Sequence, residues 1–222
     1  MFPIFIICAI ILAIIILFSF PQFSPIPYFP SNMKDRKNIL KAFSLKNSQT
    51  IIDLGAGDGV VVFEAAHESW KRKLSTKFIA LEINPVLMGI LWMKWLLHPN
   101  RKNIRIIWRD MFKINFDLVI GGSHARDPDS AQARQFISRP STGGKSMTGR
   151  IYNQQITFYL YISPWLIEKV ISRIQKHLPG SSFVSYFYPI RSLKKKEKVL
   201  RGVHNTYYYP SSFKIASGES TM

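Results

Sequence analysis

A short apolar strand runs directly into three closely spaced glycines. Thr50-Ile51-Ile52-Asp53-Leu54 is followed by Gly55-Ala56-Gly57-Asp58-Gly59. Without a Cβ at these positions the chain can turn tightly from strand to helix, and a ligand can approach the backbone closely. N–H groups at the start of the following helix add a partial positive charge. A dinucleotide-binding turn has the spacing G-x-G-x-x-G, and its last position here is Val60. The glycines fall instead as G-x-G-x-G, with Asp53 before them and Asp58 between the last two. Acids within such a turn suit a cationic ligand carrying an amino group better than a pyrophosphate. S-adenosylmethionine is a ligand of that kind.

Downstream, strand and helix patterns alternate. Helical spacing covers 32–46, 57–70, 84–97 and 164–177, and strands are expected at 78–82, 104–108, 156–162 and 181–188. One or two more strands fit within 199–209. Asn84 is placed to cap a helix whose first position is Pro85. Apolar strands alternating with helices predict a doubly wound, mostly parallel α/β sheet covered on both faces. In such sheets ligands bind at the carboxyl ends of the strands. Glu82 ends the second strand, where a carboxylate can accept both hydroxyls of a ribose. Asp110 follows the third, within reach of an adenine edge. With Asp53, three acids therefore end three successive strands.

The first part of the chain is of a different kind. Met1 to Asn32 carries no charged side chain, and Ile4 to Phe20 is almost entirely Ile, Leu and Phe. About 20 such residues cross ~30 Å of hydrocarbon as a helix. The stretch lacks the basic start and small-residue cleavage site of a signal peptide. Residues 1–22 are therefore read as a retained transmembrane anchor and 23–33 as a stiff Pro-rich linker. Lys34, Arg36, Lys37 and Lys41 follow, so the positive-inside rule puts the domain on the cytoplasmic side. The chain has 30 Lys and Arg against 13 Asp and Glu, a net charge of +17, which favours anionic partners. A basic segment lying against anionic headgroups accounts for part of that charge without a specific nucleic acid.

Taken together these motifs resemble the class I S-adenosylmethionine-dependent methyltransferases. Within them the chain is similar to the group holding the mitochondrial protein-lysine methyltransferases and their membrane-anchored bacterial relatives. The resemblance is carried by Pro27-Tyr28-Phe29-Pro30, the glycine turn, Leu81-Glu82-Ile83-Asn84-Pro85 and Arg109-Asp110-Met111-Phe112. It continues through Phe158 to Pro164, Leu178-Pro179-Gly180 and Phe183 to Tyr186. It implies S-adenosylmethionine as cofactor, with Asp53, Gly55, Gly57, Asp58, Gly59, Glu82, Asn84 and Asp110 around it. It also implies methyl transfer to nitrogen, often of a lysine, in a protein substrate such as a membrane protein. Ser163, Pro164 and Trp165 stand where such proteins carry a substrate-side motif; no general base is evident.

Residues 34–215 form the domain on this reading, interrupted at about 118–155 by an atypical segment. Inside it Arg outnumbers Lys 4 to 1, whereas Lys leads 17 to 8 elsewhere, so its composition sets it apart. It has no apolar period and is expected to be a surface loop, with Leu118 to Ile120 competing as the fourth strand. Gly143-Gly144-Lys145-Ser146 fails as a phosphate loop because position 139 is Arg139. The run Lys194-Lys195-Lys196-Glu197-Lys198 is read as a solvated helix or loop, with a contact to anionic lipid or an acidic substrate as the alternative. A lone Cys8 excludes a disulfide framework. His67, His98, His124, His177 and His204 lack metal-ligand spacing, and no metal is expected. Two other functions compete: a dinucleotide-dependent oxidoreductase, against which Val60 and the absence of a Tyr-x-x-x-Lys pair stand, and a catalytically inactive relative.

Overall fold

The computed structural model describes residues 2–19, 29–116, 119 and 155–211. Its elements are helix α1 (Phe2–Ser19), a 3-10 turn (Met33–Asp35), α2 (Arg36–Phe43), β1 (Gln49–Leu54), α3 (Val60–Lys71), β2 (Lys77–Glu82), α4 (Pro85–Leu97) and β3 (Ile104–Trp108). They continue with β4 (Gln155–Leu160), α5 (Pro164–His177), β5 (Ser182–Tyr186), β6 (Lys198–Leu200) and β7 (Thr206–Tyr209). The seven strands form one sheet in the order β3-β2-β1-β4-β5-β7-β6. The first five run parallel, while β7 is antiparallel to both β5 and β6. Chain order reverses between β1 and β4, and a crevice opens at such a switch point.

Alternation along the strands divides the core into two layers. Ile52, Leu54, Ile79, Leu81, Phe158 and Leu160 pack with Ile167, Val170, Ile171 and Ile174 of α5. Those four recur at helical spacing, which turns one stripe of α5 inward. On the opposite face Ile51, Phe78, Ala80 and Tyr159 meet Ile39 and Phe43 of α2, Val62 and Ala66 of α3, and Met88 and Leu91 of α4. Asp53 lies between Ile52 and Leu54 in β1, in register with Tyr159 of β4.

The fourth strand is Gln155–Leu160, seated between β1 and β5. Of the competing Leu118 to Ile120, only Val119 lies among the described residues. Val119 donates to the carbonyl of Asn115 at 3.3 Å, as in a helical turn. Val119 is also buried in the core, which corrects the surface-loop expectation at this residue. Gln155 likewise belongs to the sheet and not to the loop. The remainder of that segment lies outside the described residues, as do 20–22 of the expected anchor and 23–28 of the linker. The helix expected over 32–46 is shorter, because Asn32 caps a 3-10 turn before α2 begins. The helix after the glycine turn starts at Val60, since Gly59 is still left-handed.

Among the described residues no helix is long and apolar enough to cross a membrane. The 18 residues of α1 rise about 27 Å, against the ~30 Å of a hydrocarbon core. Its side chains from Ile4 to Leu12 are exposed, and it touches the fold at α4.

Asp35 fastens the start of the domain to its far edge. Its carboxylate accepts from Tyr186 Oη at 2.7 Å, Val203 N at 2.7 Å and His204 N at 2.9 Å. Burial alone would raise its pKa, but these hydrogen bonds and the nearby His204 outweigh it and hold the carboxyl below 3.8. Its contribution is therefore complete above that value and fades as pH falls through the lower folded one. Asp35→Ala strips a buried acceptor from three donors. It is expected to cost about 3 kcal/mol, or roughly 6–12 °C in Tm, at neutral pH. Thermal unfolding as a function of pH checks this, the difference closing in strong acid.

Candidate functional site

Four strand ends build the cleft at the switch point. Its walls are Asp53 and the turn from Gly55 to Asp58 after β1, Leu81, Glu82 and Ile83 at β2, Arg109 to Phe112 after β3, and Tyr159, Tyr161 and Ile162 at β4. Val60 and Val61 of α3, Leu87 of α4 and the linker residues Phe29, Pro30 and Ser31 complete it. It holds about 810 Å³ with its open mouth included.

The turn is left-handed at three points, with φ of +78° at Gly55, +58° at Gly57 and +78° at Gly59. Gly55 and Ala56 both donate to the carbonyl of Leu81, at 3.0 and 2.7 Å. A Cβ on Gly55 would stand 3.2 Å from Met111 Cε across the cleft. Gly59 does a different job. It lies outside the cleft lining, and a Cβ there would meet Leu91 at 2.5 Å and Phe63 at 2.6 Å. Its role is the close approach of α3 to α4.

Glu82 is 6% exposed, and both of its carboxylate oxygens are engaged. Oε2 accepts from Gly57 N at 2.8 Å, while Oε1 accepts from Ile83 N at 2.8 Å and Asn84 N at 2.9 Å. Burial raises its pKa, and those three hydrogen bonds pull the other way. Asp53 is more strongly perturbed. Burial first, then the charges of Glu82 and Asp58, push its carboxyl well above 3.8. Asp58 is already paired: its Oδ2 stands 2.8 Å from Lys94 Nζ, and its Oδ1 accepts from Val60 N at 3.3 Å. Asp110 accepts from Phe112 N at 2.8 Å and so shapes the turn at the cleft edge. Arg173 of α5 holds the same turn, donating to the carbonyls of Phe112 and Ile114.

Of the residues expected around a cofactor, Asp53, Gly55, Gly57, Asp58, Glu82 and Asp110 line one cavity. Gly59 and Asn84 do not. Asn84 is wholly buried and caps α4, its Oδ1 accepting from Val86 N at 2.9 Å and Leu87 N at 3.3 Å. Ser163, Pro164 and Trp165 also stand outside the lining, at the start of α5, where Trp165 is 76% exposed.

The sequence reading did not single out the aromatic wall. Ser31 Oγ and Tyr159 Oη are 2.9 Å apart, and Asn32 N donates to Tyr186 Oη at 3.2 Å. Tyr161 packs edge-on to Tyr186 at 5.0 Å. These contacts draw Phe29, Pro30 and Ser31 over the cleft. The period-2 face shared by Tyr159 and Tyr161 was the available signal.

This is the fold of the S-adenosylmethionine-dependent methyltransferases. An RNA methyltransferase from Salinibacter ruber, solved with S-adenosyl-L-homocysteine, superposes with a TM-score of 0.55 at 16% identity. The match covers 85% of this chain and 97% of that one. A SAM-dependent O-methyltransferase from Thermotoga maritima gives 0.51 at 12% identity, over 84% of this chain and 68% of that one.

Among curated proteins the chain is similar to the lysine N-methyltransferases of the ATP synthase C-subunit. It is 31% identical to that of Caenorhabditis elegans over 98 residues, 41% of this chain and 48% of that protein. It is 28% identical to that of Xenopus laevis over 101 residues, 44% of this chain and 42% of that protein. The chain thus spans less than half the length of these relatives. No family model matches.

Asp53 carries a stability prediction. With its folded pKa raised, the carboxyl disfavours the folded state as pH rises above 3.8, where the unfolded chain ionises. Asp53→Asn removes that penalty. The variant is expected to melt a few degrees above the parent at pH 7 without ligand, and the gap should close below pH 3.8. Calorimetric scans across that range measure it.

Proposed function

We propose that this chain is a membrane-anchored S-adenosylmethionine-dependent methyltransferase acting on a lysine side chain of a protein. The observation that carries the cofactor reading is the buried pair Asp53 and Glu82 on one wall of the cleft. The charge of Glu82 helps burial to raise the pKa of Asp53, and a buried acid so perturbed by a neighbouring acid marks a cation-seeking site. A ligand with a positive amino group and sulfonium relieves that repulsion, whereas a pyrophosphate worsens it. Asp53 and the Gly55–Gly57 backbone would hold the amino-acid end, Glu82 the ribose and Asp110 the adenine edge. When bound there, S-adenosylmethionine supplies a methyl group on a positively charged sulfur.

The chain's own part is positioning and desolvation. Phe29, Met111, Phe112, Tyr161 and Ile162 make the wall past the acids largely apolar. An ammonium entering such a site loses hydration, which favours the neutral amine with a free lone pair. Alignment of that amine at ~3–3.5 Å accounts for most of the acceleration a site without a general base can give. The lysine assignment is supported by the names of the two curated relatives. A membrane-borne substrate suits an enzyme tethered by α1.

Anchoring is supported by α1 and its flanks. Met1 and Phe20 extend the apolar run of α1, and the first charge comes at Lys34. The cluster Lys34, Arg36, Lys37 and Lys41 then favours a cytoplasmic domain.

Two experiments test these readings. Gly57→Val forces a β-branched residue to a φ of +58°, and Glu82→Gln removes the charge while keeping the side chain's shape. Each is expected to weaken S-adenosylmethionine binding at least tenfold, or about 1.4 kcal/mol, by calorimetry. Unchanged binding in both overturns the site. For the anchor, the protein is expected to stay in the membrane fraction after a carbonate wash with its N-terminus intact. A mature N-terminus mapped near Phe23 would show cleavage instead.

A further inference from the structure

Helix α4 is apolar on both faces. Leu87, Met88 and Leu91 point into the core. Gly89, Trp92, Met93, Leu96 and Leu97 recur at i, i+3, i+4, i+7 and i+8, and every one is exposed. Trp92 is 47% exposed and Leu97 86%. A helix apolar all round is normally buried, so this outer stripe lacks the polar face of a solvated helix. From Pro85 to Arg109 there are five basic residues, Lys94, Arg101, Lys102, Arg105 and Arg109, and no acid. Arg101 and Lys102 are exposed just past the end of α4, and Trp108 is exposed at the end of β3. The charge-free helix α1 contacts α4 and no other element as extensively.

We propose that the outer stripe of α4 is a second membrane contact, lying in the headgroup region of an anionic bilayer. An apolar helix face bearing Trp, with basic residues at its end, suits the boundary between acyl chains and anionic headgroups. The exposed Arg101 and Lys102 meet anionic headgroups. The indole of Trp92 suits the interface, where one side is apolar and the other wet. Contact with α1 sets α4 beside the proposed anchor. The inference takes from the proposed anchoring only the nearness of a bilayer.

The five tryptophans are 70, 92, 95, 108 and 165, so α1 is fluorescently silent and indole emission reports on the domain alone. The full chain is placed in vesicles of phosphatidylcholine with phosphatidylglycerol whose acyl chains carry bromine as a quencher. Flotation that survives a carbonate wash reports α1, and quenching reports α4. Wild-type emission is expected to be quenched, more strongly than in phosphatidylcholine alone. Trp92→Phe should lose most of that quenching. Leu96→Glu with Leu97→Glu should lose it too, while still floating and melting as the parent does, since both positions are exposed. Wild type that floats with Trp92 unquenched overturns the proposal, whether a second copy or residues 120–154 cover the stripe. Equal quenching in neutral and anionic vesicles also overturns it. If carbonate strips the chain from the vesicles yet quenching before the wash depends on Trp92, the anchor reading fails and the α4 contact stands.

Discussion

Glu82 ties together the backbone of two adjacent strand ends. Its carboxylate takes the N–H of Gly57 from the turn after β1 and those of Ile83 and Asn84 from the turn after β2. The left-handed glycine turn is thereby held open at one height above the sheet. Asn84, held by the same carboxylate, caps α4 and sets where that helix departs. Lys94, on the same helix, then reaches back to the carbonyl and carboxylate of Asp58 at 2.7 and 2.8 Å. The acidic wall of the cleft and the seat of α4 thus depend on one buried carboxylate. Burial raises its pKa, and these three hydrogen bonds to the charged form oppose that rise without cancelling it.

A second tie closes the opposite side. Asp35 joins the segment ahead of α2 to Tyr186 and to the backbone at Val203 and His204. Asn32 and Ser31 reach Tyr186 and Tyr159 in turn. The segment leading from the apolar N-terminal part of the chain is thereby laid over the cleft. Arg173 performs the equivalent service for the turn after β3. The cleft is bounded by contacts that begin in three separate parts of the sequence.

Local chemistry explains which features were legible beforehand. Asn84 followed by Pro85 marks a helix start through backbone donors only two or three residues away, and the helix begins there. The boundaries of β3 and α5 also follow from local periodicity. Acids at strand ends were legible because a parallel sheet brings those ends together. What the side chains do was less so. Asn84 and Gly59 belong to the same motifs as the lining residues, yet they serve the packing of α4 and α3. Nothing within the motif separates a glycine that faces a ligand from one that faces Leu91. The Tyr159 and Tyr186 contacts with the linker join residues far apart in the chain, so no local pattern announces them. The two-stranded extension β6–β7 was seen only as room for one or two strands, because three and four residues carry little periodic signal.

Helix α4 brings these constraints together. Its inner stripe fills the core, its N-terminus is set by Glu82, and Lys94 pairs with the glycine turn. Its outer stripe touches none of these groups, because a period of 3.6 separates positions 89, 92, 93, 96 and 97 from positions 87, 88, 91 and 94. The stability of the domain therefore gives no reason for the outer stripe to be apolar, and solubility gives a reason against it. A polar surface there would fold equally well. The exposed run of Trp92, Met93, Leu96 and Leu97, on the helix that touches α1, has a physical rationale once the helix lies against lipid. In that arrangement the carboxyl-end cleft, fixed to the other end of the same helix, is held at a constant distance from the membrane surface.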